Sequence, residues 1–148
     1  IRPVVPGVVA AVPGLWEQAK DQHLMKGAVL VTITRLVQAL AAGVTSVIDF
    51  VTDVVRFSAD VAQEHELYTL EDGLALWLAT LRNLPEPHPP LMALFPNVVA
   101  TLERDVDHIQ VCLNITESAL LLSGRDMLAQ HSQALASVFI IVLGNVKD

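Results

Sequence analysis

Apolar residues recur along this chain with a period near that of an α-helix. Val44, Val47, Ile48, Val51, Val54 and Val55 follow i, i+3, i+4, i+7 spacing, with Asp49, Thr52, Asp53 and Arg56 on the opposite face. Leu70, Leu74, Trp77, Leu78 and Leu81 repeat the pattern, and so do Leu91, Leu94, Phe95, Val98 and Leu102. Valine is abundant and by itself favours strands, yet no stretch sustains the alternation a half-buried strand needs. The pattern predicts an all-α protein.

Start and stop signals divide the pattern into elements. Thr69 with Asp72, and Ser123 with Asp126, resemble capping boxes at helix starts. Gly43 is placed to stop the helix before it, and Pro13 to end or kink a helix that begins near Pro3. The Pro-dense stretch Leu84-Pro85-Glu86-Pro87-His88-Pro89-Pro90 reads as a rigid connector rather than a ligand for a peptide-binding domain. The expected helices are 3–19 (broken at Pro13), 23–42, 45–63, 69–83, 90–103, 107–122 and 124–144.

Taken in pairs, these helices form hairpins at 3–42, 45–83 and 90–122, followed by the first helix of a fourth at 124–144. The hairpins start about 42–45 residues apart, within the range of HEAT and armadillo units. The expected architecture is one segment, 1–148: a right-handed α-solenoid of HEAT-type helical hairpins, about three and a half repeats. Helices 23–42 and 107–122 are apolar nearly all round, through Val29, Leu30, Val31 and Ile33 in one and Ile109, Val111, Cys112, Leu113 and Ile115 in the other. Each is therefore expected to be sandwiched between neighbours. The last helix, with Leu135 and the run Val138 to Leu143, has no following element to cover it, as a truncated solenoid would leave it.

Composition narrows the function classes. Of 148 residues 53% are apolar and 17% charged, which excludes a disordered chain because such chains lack the apolar surface to offset their conformational entropy. Cys112 is the single cysteine, so no internal disulfide staples the fold. The net charge of −7 argues against a surface for nucleic-acid phosphates, which needs clustered cations. Uninterrupted apolar runs are short, Gly27–Thr34 being stopped by Arg35, and no membrane partner is expected from them. The opening Ile1-Arg2-Pro3 has neither Met nor a signal pattern and reads as part of a longer intracellular protein.

Catalytic chemistry finds no foothold. His23, His65, His88, His108 and His131 share no metal-binding spacing, and Asp105-Val106-Asp107-His108 reads as helix-start charge rather than a metal site. Cys112 lies between Val111 and Leu113, where a thiol is a small hydrophobe rather than a nucleophile. Trp16 and Trp77 sit at core spacing. The seven glycines are scattered singly, so no phosphate loop exists. Asn114-Ile115-Thr116 fits a glycosylation pattern only formally, inside a helix expected to be buried. The expectation is no enzyme, no cofactor and no metal.

Residues 67–81, Leu67-Tyr68-Thr69-Leu70-Glu71-Asp72-Gly73-Leu74-Ala75-Leu76-Trp77-Leu78-Ala79-Thr80-Leu81, carry something more specific than a period. The segment resembles the later HEAT repeats of importin-eleven-type karyopherins, members of the importin-β superfamily, and Leu-Glu-Asp-Gly-Leu-x-Leu-Trp is its distinctive core. Pro13-Gly14-Leu15-Trp16-Glu17, the stretch Leu24–Val37 with its Gly27–Thr32 core, and the helix pair after the Pro-rich connector look like the same family. The resemblance implies a flexible superhelical receptor that shuttles between cytoplasm and nucleus, binds protein cargo and releases it on Ran-GTP binding. It also implies contact with nucleoporin phenylalanine-glycine repeats through the full-length parent. Because Ran contacts in the superfamily begin at the N-terminal repeats, it implies that the principal Ran element lies outside these residues.

If the second helices line the concave surface, the candidate protein-binding residues are Thr34, Gln38, Glu71, Asp72 and Arg82. The acidic pair Glu71 and Asp72 suits a basic cargo and equally suits a helix N-terminus. Two other readings stay open on the residues alone. One is a HEAT or armadillo scaffold of another assembly, such as a vesicle coat or a phosphatase or kinase scaffold. The other is a closed helical bundle with a ligand pocket or active site.

Overall fold

A computed structural model describes residues 4–19, 23–60, 66–104 and 106–145. Among these residues there are eight α-helices and no strand: α1 (Val4–Ala19), α2 (His23–Leu40), α3 (Ile48–Ser58), α4 (Glu66–Asn83), α5 (Pro89–Met92), α6 (Pro96–Arg104), α7 (Ile109–Gln130) and α8 (Ser132–Asn145). Short 3-10 stretches at Ala41–Val47 and Val106–His108 lead into α3 and α7.

Packing sorts these helices into two rows. α2, α4 and α7 lie side by side, with α4 against both of the others. α1 packs on α2, α3 on α4, and α6 on α7, while Trp16 of α1 meets Phe57 of α3 edge-on, with ring centroids 5.7 Å apart. α2 lies between α1 and α4, and α7 among α4, α6 and α8, as their apolar patterns lead one to expect; α4 is likewise held by α2, α3 and α7. Val31 of α2 and Leu121 of α7 are nonetheless open to solvent, at 47% and 80% exposure. α4 buries Leu70, Leu74, Leu76, Trp77, Ala79 and Leu81, more than the single stripe its spacing predicts.

Two glycines let α4 seat this closely. A Cβ on Gly73 would lie 2.5 Å from Ser58 Oγ and 3.0 Å from the Ser58 carbonyl carbon. Ser58 cannot swing aside cheaply, since it is buried and its hydroxyl donates to the Val54 carbonyl at 2.7 Å. A Cβ on Gly27 would sit 3.3 Å from Asp72 Oδ2, so α2 and α4 meet near their starts.

Four buried threonines close their hydroxyls within their own helices, while the buried Lys26 ammonium of α2 lies over the Phe57 ring of α3, 4.8 Å from its centroid. Thr52, Thr80, Thr101 and Thr116 are buried, and each hydroxyl donates to the carbonyl four residues back, at 2.7 to 2.8 Å. Thr52 was expected on the polar face of its helix. This back-bond lets it pack as an apolar side chain would.

Several boundaries differ from the sequence expectation. α1 runs through Pro13, which is exposed and deprives only the Val9 carbonyl of its partner. Burial of Val12 and Trp16 on the other face, at about 1.5–3 kcal/mol for each large side chain, offsets that loss. α2 stops at Leu40 rather than at Gly43: the reversal falls on Ala41, with φ of 50°, a conformation costing about 1–2 kcal/mol for a residue with a Cβ. α4 begins at Glu66, so Thr69 is a buried residue inside the helix and not its cap.

The expected helix 90–103 is two helices, because the Pro96 nitrogen cannot donate. Leu94 and Phe95 instead bond three residues back, to Leu91 and Met92, and turn the chain before α6 starts. Ser123 does mark a break, with φ −154° and ψ 53°, and its hydroxyl donates to Asp126 Oδ2 at 3.1 Å. The expected helix 124–144 is itself interrupted. At His131 the axis turns by 110°, which brings Leu135 and Val138 of α8 into the core beside α6. Phe95 packs against the His131 ring at this corner, with centroids 5.8 Å apart.

By length and composition Met25–Ser58 could cross a membrane, which corrects the inference drawn from short uninterrupted runs. The segment is broken by the 3-10 stretch, and its Val29, Leu30, Ile33, Val37 and Val44 pack in the core shared with α1 and α4.

Gly73→Ala should destabilise the chain in urea denaturation. Overpacking costs about 1–3 kcal/mol, against a helix-propensity gain of about 1 kcal/mol. Gly14→Ala on α1, with nothing within 4 Å of the added Cβ, should instead stabilise by about 0.5–1 kcal/mol. Equal effects at the two positions would contradict the close approach.

Candidate protein-binding surface

The five candidate contact residues do not form one patch. Thr34 is half-buried and its hydroxyl donates to the Leu30 carbonyl at 2.9 Å, so its polar group is already satisfied. Gln38, one turn further along α2, is exposed and accepts from Arg35 Nη1 at 3.5 Å. On α4, Glu71, Ala75, Leu78 and Arg82 fall at i, i+4, i+7 and i+11 and form its outer strip; Leu78 is half-buried and the other three are exposed. The strip spans about 16 Å along the helix axis.

The structure splits the acidic pair. Glu71 faces solvent, but Asp72 is half-buried against Gly27 of α2. Burial, and then the neighbouring Glu71 carboxylate, raise the Asp72 carboxyl above its ordinary value of 3.8. Because α4 starts at Glu66, neither residue lies in the first turn, and the helix-dipole reading of the pair does not apply. A carboxyl whose pKa is raised by folding binds protons more tightly in the folded state. Its ionisation therefore weakens the fold as pH rises from 3.8 through the raised value. Asp72→Asn should raise the melting temperature at pH 7, and its advantage should vanish below pH 3.8. A constant difference across pH would show that Asp72 ionisation does not burden the fold.

Other sequence candidates resolve as structural groups. Trp16 and Trp77 are buried core residues. Cys112 is fully buried in α7 and its thiol is pushed up to about 12 by burial. It should react with a thiol reagent only as fast as the chain unfolds, whereas rapid modification of the native protein would contradict its burial. Thr116 of the formal glycosylation pattern is buried in α7. Asp107 and His108 lie in the 3-10 turn that opens α7, and Asp105, His23 and His65 fall outside what is described of side chains. No group of three or more His, Cys, Asp or Glu that could hold a metal ion occurs among the described residues.

One feature escaped the sequence reading. Arg82 lines an open hollow of about 310 Å³ between α4 and α7, together with Leu84, Glu117 and Leu121. Leu121 falls at i+11 from Gln110, i+7 from Asn114 and i+4 from Glu117, so it shares the polar face of α7.

Residues 27–148 match the family described as Importin-11-like, TPR repeats. The chain is 34% identical over 146 residues to Importin-11 of Mus musculus and, at the same identity and length, to Importin-11 of Homo sapiens. Each alignment covers 99% of this chain and 15% of the relative, so the chain spans about a seventh of the length of these proteins. No solved structure matches. With a family match across most of its length and an all-α architecture among the described residues, the chain belongs to the Importin-11-like TPR-repeat family.

Proposed function

We propose that this chain is a stretch of the right-handed HEAT-type solenoid of a nuclear import receptor, drawn from the later repeats of its parent, and that it offers its row of second helices to protein cargo. The observation that carries this reading is the side-by-side placement of α2, α4 and α7, each backed by its own first helix. Equivalent helices of successive hairpins stack in this way in a solenoid. The units are 3–42, 45–83 and 90–122, with a fourth beginning after Ser123. Of the five candidates, Gln38, Glu71 and Arg82 are exposed, while Thr34 and Asp72 support the helices that present them. Ran-GTP and nucleoporin phenylalanine-glycine repeats engage the full-length parent, which shuttles between cytoplasm and nucleus.

The test is a pull-down with the full-length parent from transport-competent extract, with and without GTP-locked Ran. Cargo that is captured and then displaced by Ran-GTP supports an import receptor. Partners retained regardless of Ran, with no Ran bound, would establish a scaffold of another assembly instead. Glu71→Lys in the parent should weaken capture of basic cargo several-fold and leave the melting temperature nearly unchanged, as expected of an exposed charge that meets its partner across an interface.

A further inference from the structure

The hollow between α4 and α7 combines features that the packing of this chain does not require. Its floor includes Leu81 and Leu84, at 3% and 8% exposure, and Leu121 stands at its edge at 80% exposure. Arg82 and Glu117 bring opposite charges to the same lining. Both are exposed, and neither forms an ion pair with the other or with another described residue. Leu121 and Glu117 also border a second, more apolar hollow of about 460 Å³ along α7, which Phe139 of α8 helps to enclose. Singly, an exposed leucine or an unpaired surface charge is ordinary. Here two unpaired charges of opposite sign flank a depression of mixed polar and apolar lining, with Leu121 exposed at its edge, whose volume is of the order that holds a ligand side chain or two.

We propose that this hollow docks a short protein segment carrying an apolar side chain between an acidic and a basic residue. The apolar side chain would settle against Leu121, the acidic residue would meet Arg82, and the basic residue would meet Glu117. Charge complementarity selects this occupant. A phosphate or a nucleic acid would be repelled by Glu117, and a purely apolar ligand would strip water from both charges without pairing them. The inference rests on the reading that the second-helix row is the contact face, and it adds the chemistry of what that face takes.

The test is to pan a displayed library of short random peptides against this chain and measure the affinity of the recovered peptides for Arg82→Glu, Glu117→Lys and Leu121→Ser. All three positions are exposed, so the variants should melt like the parent chain. The proposal expects recovered peptides with an apolar residue between an acid and a base, and about tenfold weaker binding to each variant. Exchanging acid and base in the peptide should restore binding to the double variant R82E/E117K. Failure to enrich any peptide, or peptides indifferent to all three substitutions, would overturn it. Ran-sensitive capture by a full-length parent carrying R82E/E117K at undiminished affinity would remove this site and leave the receptor reading standing. Loss of Ran sensitivity with peptide binding intact would do the reverse.

Discussion

The close approach of α3 to α4 at Gly73 is the constraint on which the remaining packing depends. With no Cβ at that position, the start of α4 settles against Ser58, and only then can its other faces meet α2 and α7. Ser58 contributes by turning its hydroxyl onto its own helix. A buried hydroxyl aimed across the interface would need a partner there, and α4 offers glycine. The same device recurs in Thr52, Thr80, Thr101 and Thr116, so helices rich in threonine pack through shape rather than through a polar network between them. Register in this core is set by where bulk is missing and where Trp16, Trp77 and Phe95 supply it.

That arrangement explains which polar residues remain available. α4 is covered on the sides that face α2, α3 and α7, and what is left is one strip from Glu71 to Arg82. A helix held from several directions presents such a strip rigidly, which lowers the ordering cost of binding. α8 is the opposite case: Leu135 and Val138 are buried, while Ile140 and Leu143 are 70% and 73% exposed. The corner at His131 aims Leu135 and Val138 inward, leaves Ala134, Ile141 and Val142 half-buried against the core, and exposes Ile140 and Leu143.

Much of this was legible in the sequence, and the misreadings have particular physical causes. The helical period identified the all-α class and the apolar stripes of α3, α4 and α6. The contact of Gly73 with Ser58 was not legible, because no local signal says which helix arrives. Thr69 was taken as a cap because Thr-x-x-Asp satisfies the pattern, but the helix starts a turn earlier at Glu66, which moves Asp72 from the helix end to the α2 interface. Pro96 was hidden by apolar spacing that continues across it, and the 110° corner at His131 has neither Pro nor Gly to announce it. Glu117 and Leu121 share the polar face of α7, but that they meet Arg82 of α4 in one hollow is a tertiary juxtaposition that periodicity does not encode.

The central claim is that α4 is the held centre of the row formed by α2, α4 and α7. Native-state hydrogen exchange tests it most directly, since amides in an element secured on several sides open only when the whole chain unfolds. The account predicts that the amides of Leu74 to Leu81 are the slowest in the chain, matching the free energy of global unfolding, while those of α8 beyond Val138 exchange much faster. Exchange in α4 as fast as in α8, or slowest exchange confined to α7, would contradict it.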